Sequence, residues 1–310
     1  MNGEESRWTT RVRAYLICCQ TNLHVGNGKS DQGIIDNLVQ RDHIDETPII
    51  NASSLKGALR EYARIQWGED KDKFNKIELI FGSENPAGQK KSEENQFPGK
   101  RKVVKGETIF HDAMLLALPM RSNIRPYFLA TCPMILNKIC DMAKIMFENS
   151  EQIEFFQNLA KMTKKLKESN VNLPCTSDGN NIRGQYFIEY ADRFSSNNKV
   201  TDIMKKLFPS EDWVIFSDQE FKDLVSDYNL PVVARNYLNN GESKNLFYEQ
   251  IVPRQSRFIF FVSSYANDLS KESDANNFFD ELIKMGKCVQ IGANGSIGYG
   301  YCVVKNVKEV

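Results

Sequence analysis

The chain has 310 residues, 41% of them hydrophobic, which is enough to fill one large core, and its 40 Lys plus Arg balance 40 Asp plus Glu at zero formal charge. That balance excludes a bulk electrostatic pull toward nucleic acid or membrane, so any polyanion must be held by a local basic surface. Apolar runs fall short of the roughly 18 to 20 residues of a bilayer span and the opening MNGEESRWTT is polar, so a soluble, cytoplasmic protein is expected.

The first strand is expected over Arg11 to Gln20, with Val12, Ala14, Leu16 and Cys18 alternating onto one face. A polar, glycine-containing loop, Thr21 to Asp36, follows it. After a short extended piece at Pro48-Ile49-Ile50, the run Leu55, Ala58, Leu59, Tyr62 and Ala63 has the spacing of a buried helix face, with Ser53-Ser54 as its cap. Residues 85–106 are rich in Gly, Pro and charge and read as a loop. Thr108 to Met120 reads as a strand, and Met134 to Ser169 as helical with a break at Asn149-Ser150. Short helices fit 199–207 and 218–227. Strand character returns at Arg257 to Ser264, a helix at Ala275 to Met285 ends at Gly286, and Cys288 to Asn306 is strand-like around a glycine-rich turn. Strand–helix–strand at both ends of a helical insertion indicates an α+β fold, an antiparallel sheet with helices on one face.

Few motifs carry chemistry by themselves. Gly26-Asn27-Gly28-Lys29-Ser30 looks like a nucleotide phosphate loop, but Leu23 stands where that motif needs its first glycine, and no helix begins at Asp31 to Ile34. The serine-capped helix places Lys56, Arg60 and Arg64 at i, i+4, i+8 on its solvent face, beside the free N–H groups of its first turn. This suits a phosphate, and equally an ordinary solvated face. Gly292, Gly295, Gly298 and Gly300 leave room either for a wide hairpin or for a backbone cradle around a sugar–phosphate chain. With only His24, His43 and His111, a zinc hydrolase is not expected, and seven cysteines without a C-x-x-C pair read as buried thiols rather than disulfides or a zinc knuckle. What remains for acid–base or metal work is carboxylate, notably Asp36 between aliphatic residues after the glycine loop, although a solvent-exposed loop aspartate is ordinarily plain surface.

In order along the chain, several blocks form a pattern: Leu23-His24-Val25-Gly26-x-Gly28, Ile35-Asp36-x-x-Val39-Gln40-Arg41-Asp42, Pro48-Ile49-Ile50-x-x-Ser53-Ser54-Leu55-Lys56-Gly57-Ala58-Leu59-Arg60, Phe81-Gly82, Phe110-x-Asp112-Ala113 and Gly292 to Gly300. The pattern resembles the RAMP superfamily of CRISPR proteins. Leu115 to Ser122, Leu230 to Arg235 and Asn245 to Glu249 resemble, within it, the backbone, target-slicing subunit of type III-B (Cmr) RNA-guided effector complexes. Two positions depart from the pattern: Asn51-Ala52 stands for the usual Pro-Gly before the double serine, and Gly292-Ala293 for the usual Gly-Gly.

The resemblance implies a single RAMP domain over residues 1–310. Its palm would be a modified RNA-recognition (RRM, ferredoxin-like) fold, with a finger loop at 66–107, a largely helical insertion at 121–230 and a β-hairpin thumb at 231–256. Copies would stack into a filament on a guide RNA, with other Cmr subunits and single-stranded target RNA as further partners and no membrane. Asp36 matches the aspartate used for metal-dependent target cleavage, with magnesium or manganese bound together with RNA phosphate oxygens. His24, Tyr248 and Glu249 are secondary catalytic candidates. Arg41, Ser53, Ser54, Lys56, Arg60, Arg235, Gly292, Asn294, Gly295, Ser296 and Gly298 are the expected RNA contacts, gripping the backbone without reading sequence. Two alternatives are a non-catalytic RNA-binding backbone subunit and a guide-processing endoribonuclease.

Overall fold

The computed structural model describes residues 9–28, 33–68, 71–83, 105–123, 125–147, 151–168, 173–176, 195–196, 204, 207–208, 212–266 and 274–307. β1 (Thr9–Cys19) opens the sheet, and β2 (Ile49–Ile50) leads into α1 (Ala52–Trp67), which buries Leu55, Leu59, Tyr62, Ala63 and Trp67 along one stripe. α2 (Lys71–Phe81) buries Ile77, Ile80 and Phe81, a helix inside the stretch expected as finger loop. The strand expected from Thr108 to Met120 is two, β3 (Thr108–Phe110) and β4 (Ala113–Met120), separated by His111-Asp112. β5 (Phe128–Thr131) precedes α3 (Pro133–Met146) and α4 (Glu151–Glu168), the expected helical segment with its break.

β6 (Cys175–Thr176), β7 (Ser195–Ser196) and β8 (Trp213–Ile215) are short. α5 (Asp218–Val225) starts at a capping box in which Ser217 and Glu220 each bond the other's backbone N–H. β9 (Val232–Asn239) and β10 (Glu242–Gln250) form a separate two-stranded hairpin turned by Asn240-Gly241, both left-handed, the pair that a two-residue turn of matching twist requires. β11 (Arg257–Ala266), α6 (Asp274–Lys284), β12 (Val289–Gln290) and β13 (Tyr301–Asn306) complete the chain. Residues 84–104 of the expected loop and most of the expected helix at 199–207 lie outside the described residues.

Four strands lie side by side as β13-β1-β11-β4, all antiparallel, with α1 after the first strand in sequence and α6 after the third. That is the β-α-β-β-α-β arrangement of a ferredoxin-like palm. Beyond β4 the sheet continues through β5, β8, β6 and β7, where β5–β8 and β6–β7 pair in parallel, so the whole is mixed rather than antiparallel.

The expectation of helices on one face is also corrected. Phe260 of β11 stacks on Tyr15 (5.3 Å), which meets Phe279 of α6 edge-on (5.1 Å), whereas the next residue, Phe261, points the other way and meets Phe147 and Phe156 beside α3 and α4. Both faces of the palm are therefore covered. The cause is legible in β1, where Ala14 through Ile17 are all buried and only Cys18 departs from the inward set, a continuous apolar run characteristic of a strand covered on both sides. Each fully buried Phe contributes on the order of 2 kcal/mol. Cys19, Cys132, Cys140, Cys175 and Cys302 are buried as fillers, and Cys288 is exposed.

Candidate nucleic-acid interface

Residues 23–28 leave β1 and pair with 37–40 through a Gly26–Val39 bridge, Asn27 N–H donating to Leu38 O (3.1 Å) and Gln40 N–H to Val25 O (2.7 Å). This narrow ladder carries Asp36 at one end and runs along the base of the hairpin. The Asp36 and Asn37 N–H groups both donate to Tyr248 O (3.1 Å each), the Gln250 N–H donates to Asn37 O (2.9 Å), and the Gln250 side-chain oxygen accepts from Val39 N–H (3.2 Å). Tyr248 N–H in turn donates to Asp36 Oδ2 at 2.7 Å. One carboxylate oxygen is thus tethered to the hairpin, and the half-exposed side chain has its other oxygen to offer.

Next to Asp36 lies a buried polar centre. Glu249, 4% exposed, accepts from Arg235 Nη1 (2.9 Å) and Asn294 Nδ2 (2.9 and 3.0 Å) and stands 3.7 Å from His24 Nε2. His24 Nδ1 lies 2.7 Å from Gln250 O; a carbonyl only accepts, so this nitrogen carries the hydrogen. Arg235 also covers the ring of Phe247, its cross-strand neighbour (5.5 Å). Four of the predicted residues, His24, Arg235, Glu249 and Asn294, therefore meet at one point and tie together the β1 loop, the hairpin and the C-terminal loop.

The C-terminal loop joins β12 and β13, which pair antiparallel on either side of it, as a wide hairpin does. Gly292 has φ +81, and a Cβ there would lie 2.4 Å from His24 O, which accepts from Ala293 N–H (2.9 Å). The close approach made possible by Gly292 is thus to the protein's own chain. Asn294 adopts the left-handed conformation before the 3-10 turn Gly295–Ile297, and Ser296 and Gly298 are exposed at its tip.

α1 differs from expectation at its start and along its basic face. Asn51, not a serine, is the N-cap and makes no side-chain cap; instead Asp112 Oδ1 accepts from Ala52 N–H (2.6 Å), so a carboxylate already sits at this positive end. Ser53 and Ser54 are exposed in the first turn. Lys56 lies 5.9 Å over the Phe110 ring, and burial first and the Arg60 charge second push its ammonium below the ordinary lysine value. Arg60 Nη2 donates to Phe81 O (2.5 Å) and Gly82 O (2.9 Å), satisfying carbonyls at the end of α2. Lys56, Arg60 and Arg64 are all partly buried, so the solvent face of α1 is Ser53, Gly57, Glu61 and Ile65 instead. Arg41 is likewise engaged within the protein, on Asp227, Val225 and Glu46.

Sequence reasoning missed Gln250, fully buried and bonded to both sides of the ladder, Asp112 as a helix cap, and Asp227. A polar residue at the inward end of an otherwise exposed strand was the available signal for Gln250. Among the described residues no group of three or more His, Cys, Asp or Glu side chains is placed to hold a metal ion, and no helix is long and apolar enough to cross a membrane.

The CRISPR system Cmr endoribonuclease Cmr4 of Pyrococcus furiosus is 26% identical over 318 aligned positions, covering 96% of this chain and 97% of that protein. A chain of the type III-B Cmr-beta complex bound to cognate target RNA superposes with a TM-score of 0.71 at 21% identity, over 97% of this chain and 99% of that one. The oligomeric Cmr4 of Pyrococcus furiosus gives a TM-score of 0.60 at 20% identity, over 95% and 97%. The RAMP superfamily profile matches residues 17–303, nearly the whole described palm with its insertions, and the chain belongs to the RAMP superfamily.

Proposed function

We propose that this protein is the backbone subunit of a type III-B CRISPR effector complex, a cytoplasmic assembly in which copies of it lie along a guide RNA together with other Cmr subunits and cut complementary target RNA at regular intervals. Full-length similarity to a named Cmr endoribonuclease supports the reading, and so does the likeness to chains solved in an oligomer and on target RNA. The observation that carries it is the placement of Asp36: a half-exposed carboxylate at the foot of a hairpin whose outer strands are exposed and rich in aromatic and apolar side chains.

Target RNA threaded past the hairpin would meet Asp36 at the hairpin's foot. Asp36 is the residue to hold a divalent cation, magnesium or manganese, with RNA phosphate oxygens completing the shell, because the neighbouring carboxylate, Glu249, is buried and taken up by Arg235 and Asn294. When bound, such a cation polarises the scissile phosphate. The protein's own contribution is orientation: the Tyr248 N–H fixes one Asp36 oxygen, leaving the other to face the RNA and to align a neighbouring 2′-hydroxyl for in-line attack. Tyr248, 38% exposed, contacts RNA at this point, whereas His24 and Glu249 are buried and act as the scaffold that sets the loop. Ser53 and Ser54, Ser296 and the tip of the C-terminal loop hold guide phosphates through hydroxyls and backbone N–H groups. The hairpin plays the part of the thumb that separates nucleotides of the guide–target duplex.

The test is the reconstituted complex with Asp36→Asn or Asp36→Ala. Guide retention and target binding stay at wild-type level while cleavage products disappear at every site in magnesium. Unchanged cutting by both variants removes Asp36 from the reaction.

A further inference from the structure

The loop that carries Asp36 continues through residues 39–48, and this second half is clamped by the 121–230 segment. Arg41 reaches across from the loop: Nε donates to Asp227 Oδ1 (2.8 Å), Nη1 to Val225 O at the end of α5 (2.6 Å) and to Glu46 O (2.6 Å). Its side chain is only 16% exposed, and Nη2 is buried without a partner, a cost of about 1–3 kcal/mol that a side chain free to turn into water would avoid. Val225 is the last residue of α5, so its carbonyl lacks an intrahelical donor and lies at the negative end of the helix; a guanidinium satisfies both conditions.

Two further contacts act on the same loop. Lys138 of α3 bonds Asp42 Oδ2 (2.8 Å) and Asp45 Oδ2 (2.6 Å), and Asp227 also receives the Gln250 side-chain amide on its carbonyl (3.2 Å) and Oδ1 (3.3 Å). Asp227 is therefore the point where the insertion, the Asp36 loop and the hairpin base join. Between the loop and α5 runs a cleft of about 780 Å³, lined in part by Asn27, Lys222 and Tyr228 together with Arg41 and Asp227. Glu46, with φ +60, keeps a left-handed backbone unusual for a non-glycine residue, and its carbonyl is one of the acceptors of Arg41.

We infer that Arg41, Asp227 and Lys138 are positioning residues for target cleavage: they brace the Asp36 loop against the 121–230 segment, and bracing that loop is what this segment contributes to the reaction. Arg41 is accordingly a strap within the protein and not an RNA ligand. The inference rests on the reading of Asp36 given above. It differs from a purely architectural role because a loosened loop misplaces Asp36 without releasing RNA.

The experiment uses the assembled complex with guide RNA and a complementary target. Asp227 is 46% exposed, so Asp227→Ala is compatible with folding. Single-turnover cleavage should fall about ten- to a hundredfold with the half-saturating target concentration unchanged, and Asp227→Glu, which keeps an acceptor for Arg41, should recover most of it. Hydrogen exchange at residues 36–46 should rise in Asp227→Ala and in Lys138→Ala. Arg41→Ala should leave guide affinity and its salt dependence unaltered, whereas loss of a phosphate contact would lower the slope of log K against log salt by about one. A lowered slope with unchanged exchange in the loop overturns the strap. Faster exchange with wild-type cleavage overturns the positioning role while leaving the contact real. Asp36→Ala run in parallel separates both from failure of the reading beneath them, since that failure appears as a cleaving Asp36 variant.

Discussion

The two ends of the β9–β10 hairpin are built from the same two strands and could hardly differ more. At the base, Glu249 and Gln250 are buried, and their side chains bond to Arg235, Val39, Asp227 and the C-terminal loop. Toward the tip, Tyr237 and Leu246 are 62% and 54% exposed among the described residues. A two-stranded ribbon is marginal alone in water. The base supplies the anchorage that the tip lacks, so the tip can be an exposed apolar surface without the ribbon unfolding. Under the function proposed above, structure-holding and RNA-facing duties would be divided along one strand, with Tyr248 at the join.

The sharpest way to break that comparison is to attack the base. Glu249→Ala leaves Arg235 and Asn294 facing each other without an acceptor, and removal of one partner from a buried ion pair costs about 3–5 kcal/mol; the urea midpoint of the full chain should drop accordingly. Glu249→Gln, retaining an oxygen for Asn294, should cost less. Gly292→Ala comes next, because the added Cβ would meet His24 O at 2.4 Å in a left-handed conformation. Gly298 has a similar φ of +87 but nothing within 4 Å, so Gly298→Ala should carry only the conformational penalty of about 1 kcal/mol. Equal losses at the two glycines would mean that contact with the β1 loop is not what Gly292 provides. At the tip, Tyr237→Ala with Leu246→Ala should shift stability by less than about 0.5 kcal/mol while weakening retention of target RNA by the complex. A large stability loss there would erase the distinction between the two ends.

The palm was legible in the sequence because strands and helices wrote their periods into it. The i, i+3, i+4 stripe of α1 and the aromatic run of β11 give the elements their places, and the apolar blocks at Ala14–Ile17 and Phe258–Val262 even record that both faces are covered. The site was legible only in part. Asp36, Glu249 and Asn294 stood out as polar residues in ordered blocks, yet which of them faces RNA depends on burial, and burial of a polar group is decided by partners more than 40 residues away in the chain. Arg41 and Arg60 illustrate the same limit. A guanidinium in such a block looks like a phosphate ligand until its acceptors, Val225 O and Phe81 O, are seen to be backbone carbonyls, whose partners no side-chain pattern encodes.

The smallest effect belongs to the outer clamp of the Asp36 loop and can be resolved by titration. Burial pushes the Asp42 carboxyl up, but the Lys138 ammonium and the Ile44 and Asp45 N–H groups outweigh it, so the group titrates below its ordinary value of 3.8. Lys138, opposed by its own burial, is raised above 10.5 by Asp42 and Asp45. A depressed carboxyl contributes stability above its unfolded value and loses it as pH falls through the folded one; a raised ammonium contributes below its unfolded value and loses it as pH climbs through the folded one. The clamp is therefore complete across the range between those two limits and opens first in acid, below 3.8. Partial exposure of both groups keeps the contribution to within about 1 kcal/mol. In a carbon-detected NMR titration of the full chain, Lys138→Ala should move the Asp42 midpoint upward. An Asp42 midpoint indifferent to Lys138 would show that the loop's own N–H groups hold that carboxylate, and would detach α3 from the brace.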